Sequence, residues 1–317
     1  KYTGQLLLIF SVLNCVPLLF CVLIGEYHLV LPYAVITAGT GIFGFLLQRI
    51  KASTDIQNNE TLVISALIFL ITPSLFAFPF LQHGLTYIDA FFEAVSGVTT
   101  TGLSCLASVE NLPRTFLFTR AWLQWIGGLG IVVLGVAILL PQSKATLHLF
   151  RENWEKEGLV ASTRSYARVI LKVYIFMTLA GFILLAALGI HWFDAITHVL
   201  AAVSTGGFST YDNSLSGLSG RPGQSAVILI SFFGAVPLFV YYIFSRGDVR
   251  KFISNQEIKG LAAAAVFAAM VTTMILMAAD GLSPRQALID GPLLALSAQT
   301  TTGFSTPVSY THLTLPT

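Results

Sequence analysis

Apolar residues in this chain come in long unbroken runs, and those runs constrain the fold more than any motif does. Seven stretches, 6–25, 29–47, 61–81, 116–140, 169–190, 226–244 and 261–279, are each near the twenty residues a helix needs to cross roughly 30 Å of hydrocarbon. In lipid every backbone polar group must find its partner within the protein, so such segments predict spanning helices. Only 10% of the 317 residues are charged, against about 25% in a soluble domain. A net charge of +2 offers no basic face for nucleic acid. Cys15, Cys21 and Cys105 form no CxxC pair, which argues against a disulfide or zinc scaffold. The first run is too long for the apolar core of a signal peptide, and a chain opening on Lys1 is expected to have lost its natural start.

With seven spans the Lys and Arg residues sort unevenly. Thirteen of the seventeen fall on the side of Lys1, and only Arg114, Arg120, Arg221 and Arg285 on the other. The positive-inside rule then puts the N-terminus in the cytoplasm. The outer side carries the acids Glu26, Asp89, Glu93, Glu110, Asp194, Asp212, Asp280 and Asp290, an arrangement that attracts cations.

Three segments, 85–104, 191–209 and 284–305, fit no span. Each joins a half-apolar stretch of about a dozen residues, too short to cross at 1.5 Å per residue, to a Thr/Ser/Gly run. They are predicted to enter from outside and turn back, which is tolerated only where protein buries the backbone or water lines it. The three are also in register with one another: Asp89, Asp194 and Asp290 precede Gly102, Gly207 and Gly303 by 13 residues each. The periods are 105 and 96 residues, so the chain is a tandem array of span, short helix, loop and span.

The loops read Thr99-Thr100-Thr101-Gly102-Leu103-Ser104, Ser204-Thr205-Gly206-Gly207-Phe208-Ser209 and Thr300-Thr301-Thr302-Gly303-Phe304-Ser305. A dehydrated monovalent cation needs several oxygens at fixed spacing, and a row of backbone carbonyls supplies them. Glycine gives the backbone its freedom, while threonine adds a hydroxyl and a β-branched preference for extended chain. The short helix before each loop would aim its negative C-terminal end at the ion. The candidate ion-binding residues are therefore Thr100, Thr101, Gly102, Leu103, Thr205, Gly206, Gly207, Phe208, Thr301, Thr302, Gly303 and Phe304. One such loop alone would suit a polar turn capping a buried helix equally well; three in register favour a filter. Asp89, Asp194 and Asp290 are expected first as caps of the short helices, with ion attraction second.

Other features have plainer readings. His191, Asp194 and His198 share a helical face, but the entrance of a short interfacial helix explains them better than a metal site. Gly127, Gly128 and Gly130 suit close helix packing more than a hinge. The segment 146–168 reads as an amphipathic helix on the cytoplasmic lipid surface. Ser96, Ser104 and Ser209 lack a nucleophile elbow or metal motif around them, so no enzyme is expected.

The residues from Asp89 to Gly97, the run Trp125-Ile126-Gly127-Gly128-Leu129-Gly130-Ile131, and the three loops together resemble the membrane subunits of the Trk/Ktr/HKT potassium-uptake superfamily, of the TrkH type. The resemblance extends to about Thr306. It implies four repeats around one pore, a homodimer of such pores in the bacterial cytoplasmic membrane, potassium as substrate with no cofactor, and a cytosolic nucleotide-binding regulatory subunit of the TrkA type. The expected architecture is all-α and integral to the membrane: a two-span hairpin over 1–60, pore repeats over 61–145, 146–250 and 251–306, and a non-native tail over 307–317. With three loops visible, the 317-residue chain alone is not expected to close a four-fold ring. Potassium uptake is the leading function. A sodium-permeable or non-selective transporter of the same family is the alternative, and a secondary transporter of organic solutes is disfavoured because the repeats run parallel.

Overall fold

The computed structural model describes residues 2–50, 58–139, 159–237, 240, 241, 244, 254–278 and 282–306. These form helices and loops, with no strand among the described residues. We number the α-helices α1 (Tyr2–Ile24), α2 (Val30–Gln48), α3 (Asn58–Phe80), α4 (Tyr87–Val98), α5 (Arg114–Leu139), α6 (Leu159–Ala187), α7 (Trp192–Val203), α8 (Arg221–Ala235), α9 (Gln256–Ala278) and α10 (Pro284–Gln299). The non-native tail expected over 307–317 and most of the expected amphipathic segment lie outside the described residues.

α1 and α2 form the expected hairpin. Gly25 takes a left-handed φ of +81°, and a single 3-10 turn, Tyr27–Leu29, reverses the chain. At the other end Gly4 and Gly44 meet backbone to backbone, so a methyl on either would run into the opposite helix. The turn is fastened to α5: the Glu26 carboxylate accepts from the N–H groups of Arg114 and Thr115, both at 2.9 Å. That carboxylate satisfies orphan donors at a helix start and complements its dipole.

After the hairpin the order helix, short helix, loop, helix occurs twice, as α3–α4–α5 and α6–α7–α8, and α9–α10 begins a third round. Two populations of helix are distinct. Four segments, Thr3–Ile24, Tyr27–Gln48, Arg168–Ala187 and Gln256–Ala278, are long and apolar enough to cross a membrane. Their outer faces stay apolar, with Leu23 83% and Phe176 70% exposed, as lipid-facing surface requires. The core instead gathers on α4, α5, α7 and α8, around Phe116, Leu123, Val199 and Ile228.

One expected span is broken. The run 226–244 was expected to be continuous, yet α8 starts at Arg221 and stops at Ala235, with Val236 extended at ψ 129°. Pro237 explains it, because its ring disfavours a helical conformation in the residue before it.

Candidate functional site

The short helices α4, α7 and α10 end at Thr99, Ser204 and Thr300, and the same backbone figure follows each. Thr100, Thr205 and Thr301 are left-handed, with φ of 55°, 52° and 59°; two residues on, Gly102, Gly207 and Gly303 are left-handed again, at 78°, 80° and 74°. The extended preference expected of these threonines is therefore overruled at the second position of every loop. A β-branched residue at positive φ is a genuine outlier that only firm surroundings maintain. The hydrogen bonds show why it holds here: Thr101 N–H donates to Ser96 O at 2.9 Å, Gly206 N–H to Ala201 O at 2.8 Å, and Gly303 N–H to Ser297 O at 3.3 Å. Turning left-handed lets the loop's N–H groups satisfy the orphan carbonyls of the helix end.

The loops meet. A side chain on Gly102 would overlap the Gly206 carbonyl and one on Gly207 the Thr302 carbonyl, whereas Gly303 faces nothing within 4 Å. Loop 2 thus lies between loops 1 and 3. Beside them is a cavity of about 430 Å³ to which Thr100, Thr205 and Thr301 each contribute, along with Ser204 and Thr300 at the ends of α7 and α10. Val236 and Pro237, at the break after α8, line it too. The negative ends of the short helices therefore border one shared space.

Each loop is held by different side chains. In loop 1 the Ser96 hydroxyl donates to Leu103 O at 2.5 Å, and Glu93 accepts from the Ser104 hydroxyl at 3.1 Å and from Cys105 N–H at 3.2 Å. Glu93 also pairs with Arg120 Nε at 2.6 Å, both side chains almost wholly buried. In loop 2 Gln124 Nε2 donates to Gly206 O at 2.5 Å while its Oε1 accepts from Phe208 N–H at 3.2 Å. His198 contacts the Ser209 hydroxyl through Nε2 at 3.0 Å and Asp194 O through Nδ1 at 2.8 Å. In loop 3 the Ser297 hydroxyl donates to Phe304 O at 2.6 Å, and Ser305 N–H to the Ser214 hydroxyl at 3.1 Å.

The three aspartates are not N-caps. Thr86, His191 and Ser283 occupy those positions. Asp89 sits in the first turn, where its N–H donates to the Thr86 hydroxyl at 3.2 Å and its carboxylate accepts from that hydroxyl at 2.6 Å. Asp194 reaches the far side of its loop, accepting from the Thr210 hydroxyl at 2.6 Å and the Tyr211 hydroxyl at 3.0 Å. Asp290 lies in the interior of α10, buried, and pairs with Arg221. A 13-residue spacing to the glycine fixes the register of an aspartate but not where its helix starts. His191, Asp194 and His198 serve three separate tasks: a cap, a loop tie and a buried hydrogen-bond bridge.

Glu93 and Arg120, counted in the sequence with the outer side of the spans, are buried inside the protein, and Gln124 and Ser96 were not weighed as supports. An arginine and a glutamine four apart within an apolar span were the available signal, since polar groups at membrane depth have partners or functions. The glycines of α5 are packing residues at two positions: Gly127 is pressed against the Val98 carbonyl, and a methyl on Gly128 would come within 2.8 Å of the Tyr174 hydroxyl. Gly130 meets nothing within 4 Å.

The described residues are helical, with several helices apolar and long enough to cross a membrane and short helices whose loops converge beside one cavity. Residues 32–280 match the TrkH family model, described as cation transport protein. TrkH of Halomonas elongata, a Trk system potassium uptake protein, is 30% identical over 96% of this chain and 65% of its own length. Escherichia coli TrkH is 35% identical over 57% of this chain and 38% of its own. The crystal structure of the potassium transporter TrkH from Vibrio parahaemolyticus superposes with a TM-score of 0.83 at 26% identity, covering 96% of this chain and 64% of that one. The chain belongs to the TrkH family, a family of transporters and not of enzymes. It spans just under two thirds of the length of the full-chain relatives it matches.

Proposed function

We propose that this chain takes part in potassium uptake across the bacterial cytoplasmic membrane, its three Thr/Gly loops forming filter segments of one cation path. The observation that carries this reading is the repeated pair of left-handed residues, Thr100 and Gly102, Thr205 and Gly207, Thr301 and Gly303, brought together in space. Alternating the sign of φ along a strand turns successive carbonyls to one side, which is what a cation stripped of water requires. The ligands are carbonyls of Thr100, Thr101, Gly102, Thr205, Gly207, Thr301, Thr302 and Gly303; those of Leu103, Gly206 and Phe304 also accept from protein side chains, which fixes their direction.

In this reading the N-terminus is cytoplasmic, the chain pairs with a second copy, and a TrkA-like nucleotide-binding subunit meets its cytosolic face. The potassium uptake named for its relatives supports the substrate. By resemblance to the family, glycine at all three loop positions goes with a preference for potassium over sodium, and a side chain at Gly102 would be thrust against the Gly206 carbonyl. The full-length gene product, expressed in a bacterium lacking potassium uptake, is expected to restore growth at low potassium, and Gly102→Ser to lower the ratio of potassium to sodium uptake. An unchanged ratio at equal protein would remove Gly102 from the filter.

A further inference from the structure

We propose that Arg120 and Gln124, one turn apart on α5, are positioning residues that set the geometry of the second filter loop, so that the discrimination made by loop 2 is fixed from the preceding repeat's helix. The proposal rests on the filter reading above and adds to it which residues hold the selective geometry.

Gln124 is fully buried and grips loop 2 on both sides of Gly207, giving a hydrogen bond to Gly206 O at 2.5 Å and taking one from Phe208 N–H at 3.2 Å. Its amide also fills the space where a side chain at position 206 would stand. Arg120 extends the grip by one residue at each level: its guanidinium lies 3.9 Å over the Phe208 ring and donates to Ser209 O at 3.3 Å. The same guanidinium is held by Glu93, which in turn holds Ser104 and Cys105 of loop 1. One charged pair therefore ties the outer ends of two loops together.

The need for these residues follows from what repeat 2 lacks. Loops 1 and 3 pin the carbonyl after their glycine with a serine of their own short helix, Ser96 and Ser297. The corresponding residue of α7, six before Gly207, is Ala201, which has no hydroxyl. Gln124 holds different groups, the carbonyl before Gly207 and the N–H after it, so α5 fixes from outside a loop that its own short helix does not pin with a serine. Only a primary amide of this length both donates to one backbone group and accepts from the other; methionine does neither, and an ionised glutamate only accepts. Because Gly206 O also abuts Gly102, a shift of this carbonyl changes the gap between loops 1 and 2, and cation selectivity depends on the size and field of the carbonyl ring.

The test is the ratio of potassium to sodium uptake by the full-length gene product in cells without other potassium uptake, at matched membrane protein. Gln124→Glu, which loses the bond to Gly206 O, is expected to lower the ratio about tenfold, the effect of one lost buried hydrogen bond on a competition between two ions, and Gln124→Met, which loses both bonds, to lower it at least as much. A purely structural role would lower protein amount and leave the ratio alone. Should Gln124→Met fail to accumulate, Gln124→Glu and Arg120→Lys carry the same measurement. Ratios within twofold of wild type in the accumulating variants overturn the proposal. A wild-type protein without potassium preference would instead overturn the filter reading on which it rests.

Discussion

Loops 1 and 2 adopt one backbone figure on two different sets of supports. Both have a left-handed threonine and, two residues on, a left-handed glycine. At the helix position nine residues before the glycine, loop 1 has Glu93 and loop 2 has His198, and each side chain bonds the serine two after the glycine. At the position six before, Ser96 faces loop 1, whereas Ala201 leaves loop 2 to Gln124 of α5. The backbone conformation is what the repeats share; the means of holding it differ. Loop 1 rests on the charge pair itself, loop 2 on the neutral side chains His198 and Gln124 with only the arginine of that pair reaching it, and the two supports should fail differently.

The largest effect is expected at the charge pair. Arg120→Met leaves Glu93 buried without its counter-charge, and breaking a buried pair from one side costs about 3–5 kcal/mol. The matching change in loop 2, His198→Leu, removes neutral hydrogen bonds to Asp194 O and Ser209 and should cost only about 1–3 kcal/mol. Thermal unfolding of the purified protein in detergent measures both. Equal losses would mean that the contrast between the loops is not one of charge. Combining Glu93→Gln with Arg120→Met should recover much of the loss, since no unpaired charge then remains.

The next comparison separates two demands on the loop glycines. Gly207 and Gly303 share a left-handed φ, 80° and 74°, but only Gly207 is pressed against a neighbouring loop's carbonyl. Gly303→Ala should cost about 1–2 kcal/mol for the left-handed backbone alone. Gly207→Ala adds overpacking, a further 1–3 kcal/mol or so, and should also displace loop 3. If the two variants unfold at the same temperature, loops 2 and 3 are not in contact in the folded protein.

This contrast also shows what could be read from the sequence. The helical spans were legible because lipid leaves a long apolar run few alternatives, and the three loops because their glycines keep a fixed distance from an aspartate. The break after α8 was missed although Pro237 stood in plain view, since a count of apolar residues does not register which dihedrals proline allows. The supports were missed for a different reason. Arg120 and Glu93 are 27 residues apart, and Gln124 lies 82 from Gly206, so the pairing of each exists only once α5 packs between α4 and α7. The threonines at positive φ could not be anticipated from propensity, because the hydrogen bonds that hold them come from the end of the preceding helix.

The smallest effect is expected where the two loops are joined outside their filters. Asp212, after loop 2, accepts from Val109 N–H at 2.6 Å and from the Ser108 hydroxyl at 2.8 Å, both in the chain after loop 1. The Val109 N–H, and then the Ser108 hydroxyl, hold its carboxyl below the usual carboxylate value of 3.8. A depressed folded-state pKa means stability that is fully present above 3.8 and lost as the pH falls through the folded value. The site is open to solvent, so the effect should be modest. Asp212→Asn is expected to lower the melting temperature slightly at pH 7, and the gap to wild type should close on acidification below the carboxylate range, where the wild-type side chain is itself neutral. Taking the difference between the two proteins at each pH cancels the titration of every other carboxylate they share. A gap that stays constant down to pH 3 would show that Asp212 ties the loops through its shape and not its charge.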